Sequence, residues 1–225
     1  APTPGPVRIL VAAFVHQGAA QLEVEKEAAR LRQGLESHDD LEVDVLLDAT
    51  LERIREGILA GGTQVLHFIG HGGLGDDGGR LGLRRNDDDV QVSGELLAHH
   101  LWDLQTLRLV FLNACETARS RPGEELTGVA LALLKVGIPA VIGMQQPISD
   151  QGAIAFSEVG YRRLAAGDPI DAAMTEGRLA LTRLSAALEW ATPVLLLRAP
   201  GDFRLREESG ASGRHPSPRR RPGSP

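Results

Sequence analysis

Short apolar runs alternate along the chain with stretches of helical spacing. The runs are Val7 to Phe14 (VRILVAAF), Leu41 to Leu47 (LEVDVLL), Val65 to Ile69 (VLHFI), Leu107 to Leu112 (LRLVFL), Ala140 to Met144 and Val194 to Leu197. Runs of this length, rich in branched residues, predict strands buried on both faces. Between them, Gln21 to Leu35 sets Leu22, Ala28, Leu31 and Leu35 on one helical face, with Glu and Arg covering the rest. Thr50 is placed to cap a helix carrying Ile54, Ile58 and Leu59 that stops at Gly61-Gly62. Further helices are expected from Ser93 toward Leu101, from Glu124 to Val136 before Gly137, from Ser149 or Asp150 to Ala166, and from Asp168 to about Leu188. The alternating segments Arg80 to Arg84 and Asp89 to Val92 predict a small inserted hairpin with Asn86-Asp87 near its turn. Strands alternating with helices predict an α/β fold, a mostly parallel central sheet between two helical layers. In such sheets ligands bind outside the carboxyl ends of the strands.

Composition narrows the classes of function. At 225 residues and 42% hydrophobic content, one domain with a substantial core is expected. No apolar run approaches a membrane span, and Ala1 to Pro6 is a Pro-rich lead-in without the pattern of a secretion signal. The single cysteine excludes an internal disulfide and fits a reducing, cytoplasmic setting. The net charge of −6 is unevenly spread: Ser209 to Pro225 carries four arginines and no acids, so −6 less +4 leaves −10 on the rest. An acidic body argues against nucleic-acid binding by this domain. The tail, residues 207–225, with Arg219, Arg220 and Arg221 among Pro, Ser and Gly, has the composition of a disordered terminus or linker. The Pro-rich ends and the lack of an initiator Met suggest a domain cut from a longer chain.

The candidate chemistry lies at two predicted strand ends, Gly70-His71-Gly72-Gly73 and Asn113-Ala114-Cys115. A cysteine nucleophile needs an imidazole that takes the thiol proton and returns it to the leaving amine. His71 and Cys115, just past neighbouring strand ends, satisfy that need. Gly70 and Gly72 are expected to let the backbone turn sharply. Backbone N–H groups of Gly72 or Gly73, with that of Cys115, are candidate donors to an acyl oxyanion. Taken singly, a cysteine after an apolar strand is more often a small core residue. His67, inside VLHFI, reads as a buried, hydrogen-bonded core histidine. His99 and His100 have no accompanying cysteine or carboxylate cluster, and Asp76, Asp77, Asp87, Asp88 and Asp89 lack EF-hand spacing. With no GxxxxGK[ST] loop either, neither metal nor cofactor is expected.

The segments HFIGHGG at 67–73 and LNACETA at 112–118 resemble the two signature segments of CHAT domains, caspase- and separase-like cysteine peptidases of the caspase fold. GVALALLKVGIPAVIGMQQPISDQGAIAF at 128–156, AAGDPIDAA at 165–173, TEGRLAL at 175–181 and EWATPVLLLR at 189–198 resemble the remainder of such a domain. The resemblance spans nearly everything from Val7 to Arg206, and it implies a three-layer α/β/α sandwich over residues 7–206. It also implies His71 as the catalytic histidine and Cys115 as the nucleophile. The chain departs from the family at Thr117, where Ser is frequent, and at Gln146, where an aromatic is common. The first change keeps the hydroxyl, while the second bears on the substrate cleft.

The resemblance places an S1 pocket at Met144 to Asp150. There Asp150 either selects Arg or Lys at P1 or caps a helix; in the second case Met144 and Gln146 imply a less charged pocket. The function implied is a cysteine endopeptidase that cleaves a partner protein, a regulated bacterial effector gated by a sensor or regulatory domain in cis or in trans. Activation is then expected to order the loops around 73–90 and 116–124. A catalytically idle caspase-like scaffold or oligomerisation module is the alternative. A flavodoxin-like ligand-binding domain ranks last, because Phe14-Val15-His16-Gln17-Gly18 is poor in the residues of a phosphate-binding loop.

Overall fold

Strands covered on both faces need apolar side chains at successive positions, and the first strand shows this directly. In β1 (Val7–Ala13) every residue except Arg8 is buried. The computed structural model describes residues 5–14, 21–75, 78–85, 88–116, 124–184, 188–199 and 201–206. For residues 21–23, 74, 75, 78, 114–116 and 124–127 it describes the backbone alone. The other strands are β2 (Leu41–Leu47), β3 (Val65–Gly75), β4 (Gly78–Arg85), β5 (Asp88–Ser93), β6 (Leu109–Glu116), β7 (Ala140–Met144) and β8 (Pro193–Leu197). The helices are α1 (Gln21–Glu36), α2 (Leu51–Gly61), α3 (Gly94–Leu101), α4 (Glu124–Lys135), α5 (Asp150–Ala165) and α6 (Ile170–Leu184), with a 3-10 turn at Leu188–Ala191.

The strands order as β2-β1-β3-β6-β7-β8, parallel except for β8, with the antiparallel pair β4–β5 attached to the far half of β3. Alternate side chains build two cores. Ile9, Val11, Val65, Ile69, Phe111 and Ile142 pack beneath α1, α5 and α6. Leu10, Leu66, Phe68, Val110, Leu112 and Val141 pack beneath α2, α3 and α4. The result is the three-layer α/β/α sandwich that the sequence predicts. The chain leaves β1 for β2 on one side and returns to β3 on the other, so the order reverses beside β1, and in sheets of this kind ligands bind at the carboxyl ends beside such a reversal.

Local signals explain the boundaries. Thr50 accepts a hydrogen bond from Arg53 N at 3.1 Å, and Gly62, with φ 62°, closes α2 in the left-handed region. Ser93 caps α3 and Ser149 caps α5 through its hydroxyl to Gly152 N. Asp150 is therefore the first residue of α5 rather than its cap. The final helix begins at Ile170, after Pro169, with Asp168 paired to Arg163 at 2.6 Å. Of the helical face predicted over 21–35, Ala28, Leu31 and Leu35 are buried and are joined by Val24.

Two strands run further than the sequence predicts. β3 continues through the glycine-rich segment to Gly75, and β6 continues to Glu116. Gly72 pairs with Glu116 on one side and with Leu81 on the other, and the double ladder holds the segment extended. Gly70 and Gly72 make no sharp turn, and neither has positive φ. Gly70 instead allows a close approach, since a Cβ there would lie 2.9 Å from Phe68 Cζ. The expected mobile stretch at 73–90 is largely this ladder and its hairpin, although the turn residues Asn86 and Asp87 lie outside the described residues, as do Asp76, Asp77, 117–123 and the tail 207–225.

After β8 the chain crosses under the opposite end of the sheet. Leu205 is buried in the α1/α5/α6 core, Ile170 N donates to Phe203 O at 2.9 Å, and Arg206 pairs with Asp40, just ahead of β2. Val7 N also bonds Asp40 O, so the start of β1 and residue 206 meet at the amino-terminal edge.

Glycine substitutions test this packing. A Cβ on Gly94 would come within 2.7 Å of Val129 Cα, backbone that cannot swing aside, whereas Gly160 in α5 has nothing within 4 Å. Gly94→Ala is expected to destabilise the fold by about 1–3 kcal/mol. Gly160→Ala is expected to stabilise it by about 0.4–1 kcal/mol through helix propensity and chain entropy. Urea denaturation of the two variants checks both signs.

Candidate active site

The ladder between β3 and β6 runs unbroken from Val65↔Leu109 to Gly72↔Glu116. Within it His71 stands opposite Cys115. Neighbouring strands lie about 4.8 Å apart, and directly paired positions share a face of the sheet. By alternation from Ile69 and Asn113, positions 71 and 115 lie on the face of α1, α5 and α6, at the carboxyl edge. Both positions are inside extended strands rather than just beyond them, because pairing continues past the apolar runs. His71 is partly buried. Gly72 is paired on both sides, and Gly73 pairs with Arg80 of β4.

Four residues deeper along β3, on the same face, the polar groups are enclosed. His67 is 1% exposed. Its Nδ1 shares a hydrogen bond with Tyr161 Oη of α5 at 2.7 Å, and its ring meets Phe111 edge-on at 4.4 Å. Burial pushes its pKa down to about 3, so His67 stays neutral and structural, a hydrogen-bonded core histidine as the sequence predicts. Burial likewise raises the Tyr161 hydroxyl. The Nε2 of His67 and the hydroxyl of Ser157 have no partner in this core.

Between His67 and the edge lies a pair that the sequence reasoning missed. Asn113 of β6, level with Ile69, is 4% exposed and donates through Nδ2 to Glu27 Oε1 of α1 at 2.5 Å. Burial of Glu27, and secondly the charge of Asp150, raise its pKa to about 7, partly offset by the Asn113 hydrogen bond. A signal was present. Val24, Glu27, Ala28 and Leu31 follow i, i+3, i+4, i+7 spacing, which puts Glu27 on the buried stripe rather than among the solvated acids.

The residues expected to line the S1 pocket separate. Met144 ends β7, is buried, and belongs to the α5/α6 core. Gln146 and Asp150 are exposed. With Ser149 acting as the cap, the Asp150 carboxylate sits at the amino terminus of α5, where the helix dipole favours negative charge. Thr117 lies outside the described residues. His99 and His100 are on α3, on the far side of the sheet. Among the described residues no three His, Cys, Asp or Glu side chains are grouped to hold a metal ion, and no helix is long and apolar enough to cross a membrane.

Comparison with known proteins gives this arrangement its family. The CHAT domain matches residues 11–198, and the chain belongs to that family. Among solved structures it is similar to the Drosophila initiator caspase Dronc, at 8% identity and a TM-score of 0.51, over 85% of this chain and 79% of that one. It is also similar to separase of Saccharomyces cerevisiae, solved with securin, at 17% identity and a TM-score of 0.49, over 85% of this chain. The match spans only 12% of the separase chain. A third similar structure is pro-sf-caspase-1, at 15% identity and a TM-score of 0.49, over 86% of this chain and 91% of that one. No curated protein sequence matches. The fold is thus that of the caspase-like peptidases.

The buried groups make stability depend on pH with opposite signs. The folded-state pKa of His67 is depressed from 6.5, so the unfolded chain binds more protons and stability falls as pH drops from about 6.5 toward 3. For Glu27 the folded pKa is raised from 4.5, so stability is lost as pH rises from about 4.5 through 7. Glu27→Gln removes the second contribution alone. Relative to the wild type it is expected to gain stability at pH 8 compared with pH 4.5, read from urea midpoints. It is also expected to steepen the acid-side loss. Tyr161→Phe, which leaves His67 Nδ1 without a partner, is expected to cost about 1–3 kcal/mol at neutral pH.

Proposed function

We propose that the chain is a cysteine endopeptidase in which His71 and Cys115 form the catalytic dyad. The observation that carries the reading is the register pairing of these two positions at the carboxyl edge of the sheet in a CHAT domain. His71 takes the Cys115 proton, and the thiolate attacks the scissile carbonyl to form a tetrahedral oxyanion. His71 then protonates the amine as the C–N bond breaks, leaving a thioester. Water, deprotonated by His71, hydrolyses that thioester and regenerates the thiol. Backbone N–H groups of Cys115 and of Gly72 or Gly73 are the proposed oxyanion donors.

The proposed substrate is a partner protein, bound extended across the carboxyl edge. Asp150 is exposed beside this edge and relieved of capping by Ser149, which supports a role in holding a basic P1 side chain, with Gln146 nearby in sequence. The proposed setting is a regulated bacterial effector in the cytoplasm, gated by a sensor or regulatory domain.

An activity-based thiol probe and a peptide library test the dyad. Cys115→Ala is expected to abolish labelling and cleavage, and His71→Ala to lower kcat/KM by about 10³-fold or more. A wild-type thiol that reacts no faster than a free thiol and cleaves nothing, even beside its neighbouring proteins, returns the chain to the scaffold reading. Asp150→Ala is expected to erase a preference for Arg or Lys at P1, and an unchanged preference would remove Asp150 from the pocket.

A further inference from the structure

Glu27 has no part in the scheme above, yet it occupies an expensive place. Helix α1 presents Val24, Ala28 and Leu31 to the sheet, and a carboxylate on that stripe forfeits hydration. Its compensation is the 2.5 Å hydrogen bond from Asn113, itself almost wholly buried. Asn113 precedes Cys115 by two residues on the same strand and the same face, a rise of about 7 Å. Through this bond α1 grips the end of β6 immediately before the nucleophile's position.

We propose that Glu27 is a positioning residue for Cys115: it fixes the end of β6 through Asn113 and sets, by its charge, the pH at which Cys115 reacts, a role that presupposes the His71–Cys115 peptidase. Among the described residues few other charges lie on this face. The β1 and β2 positions that pack there, Val11, Ala13, Val43 and Val45, are apolar. From β3 come His67, held by Tyr161, and His71, while α5 contributes Asp150 and, two turns along α1 beside Gly34, Glu158. On α1 itself, Lys26 and Arg30 are exposed and Glu25 is partly buried. Ionised Glu27 adds to the charge of Asp150, disfavours the thiolate and favours a cationic His71. A neutral Glu27, or a substrate cation neutralising the pair, releases the thiolate. The raised pKa of Glu27, about 7, puts this change in the neutral range.

The single cysteine makes the test direct, because iodoacetamide alkylation reports Cys115 alone. Alkylation rates from pH 5 to 10 are measured for the wild type, Glu27→Gln and Glu27→Asp, alongside thermal melts to establish folding. The wild-type profile is expected to show an inflection near pH 7 in addition to that of the thiol. In Glu27→Gln that inflection disappears and the thiol midpoint moves down by about 0.5–1.5 pH units. Glu27→Asp, which keeps the charge, is expected to retain two inflections. In peptide cleavage Glu27→Ala, which loses the Asn113 bond, is expected to lower kcat by about tenfold or more, and Glu27→Gln, which keeps an acceptor, by less. Superimposed alkylation profiles for folded wild type and Glu27→Gln overturn the proposal, and cleavage by both would leave the peptidase standing. A shifted profile with no cleavage by any variant overturns the peptidase and keeps the coupling of Glu27 to Cys115.

Discussion

Pairing between β3 and β6 is the constraint on which the other features rest. It is the central ladder of the sheet, and each strand presents one side to each helical layer. Its first residues are held by burial: Val65, Leu66, Leu109 and Val110 are almost wholly enclosed. Its last residues carry glycine and polar side chains, which would not stay extended on their own. They stay extended because β4 closes the other side of β3, so the edge that carries His71 is supported from both flanks. The hairpin β4–β5 is therefore part of the site's foundation, and its own stability depends on Leu81, Leu83 and Val92 reaching the core of the opposite face.

A sheet of this kind separates chemistry from structure along the length of each strand. On one face of β3, Val65 is pure core, His67 is a polar group made inert by burial and by Tyr161, and Ile69 is core again. Only with His71 does a titratable side chain approach solvent. Along β6 the same face passes from Phe111 through the buried Asn113 to the position of Cys115. Two histidines four residues apart on one strand thus meet opposite fates, decided by depth below the edge.

Much of this was legible in the sequence. Strand runs, the caps at Thr50 and Ser93, and the hairpin follow from local rules of burial, hydrogen bonding and turn chemistry, and β2 and β7 begin and end where their apolar runs do. Strand continuation past Ile69 and Leu112 was not legible, because it depends on partners far away in the chain. Glycine read alone signals a turn; glycine between two ladders is merely a small strand residue. The choice between Ser149 and Asp150 as cap was undecidable from residue type, since both are good caps, and is made by the geometry of one hydroxyl. Glu27 was missed for a different reason: a charged residue on an amphipathic helix is assigned to water by default, and only its position on the stripe says otherwise.

The route of the chain after β8 carries a mechanical consequence. Residue 206 and the start of β1 meet at Asp40, on the amino-terminal edge of the sheet. β1 is seven residues long, so this anchorage stands roughly 20 Å from the carboxyl end of the sheet. A module fused at either point would pull on the foot of the sandwich and leave its mouth unobstructed. To throttle the proposed peptidase it would need a leash long enough to wrap around the molecule, or it would have to work by transmitting strain lengthwise through the strands.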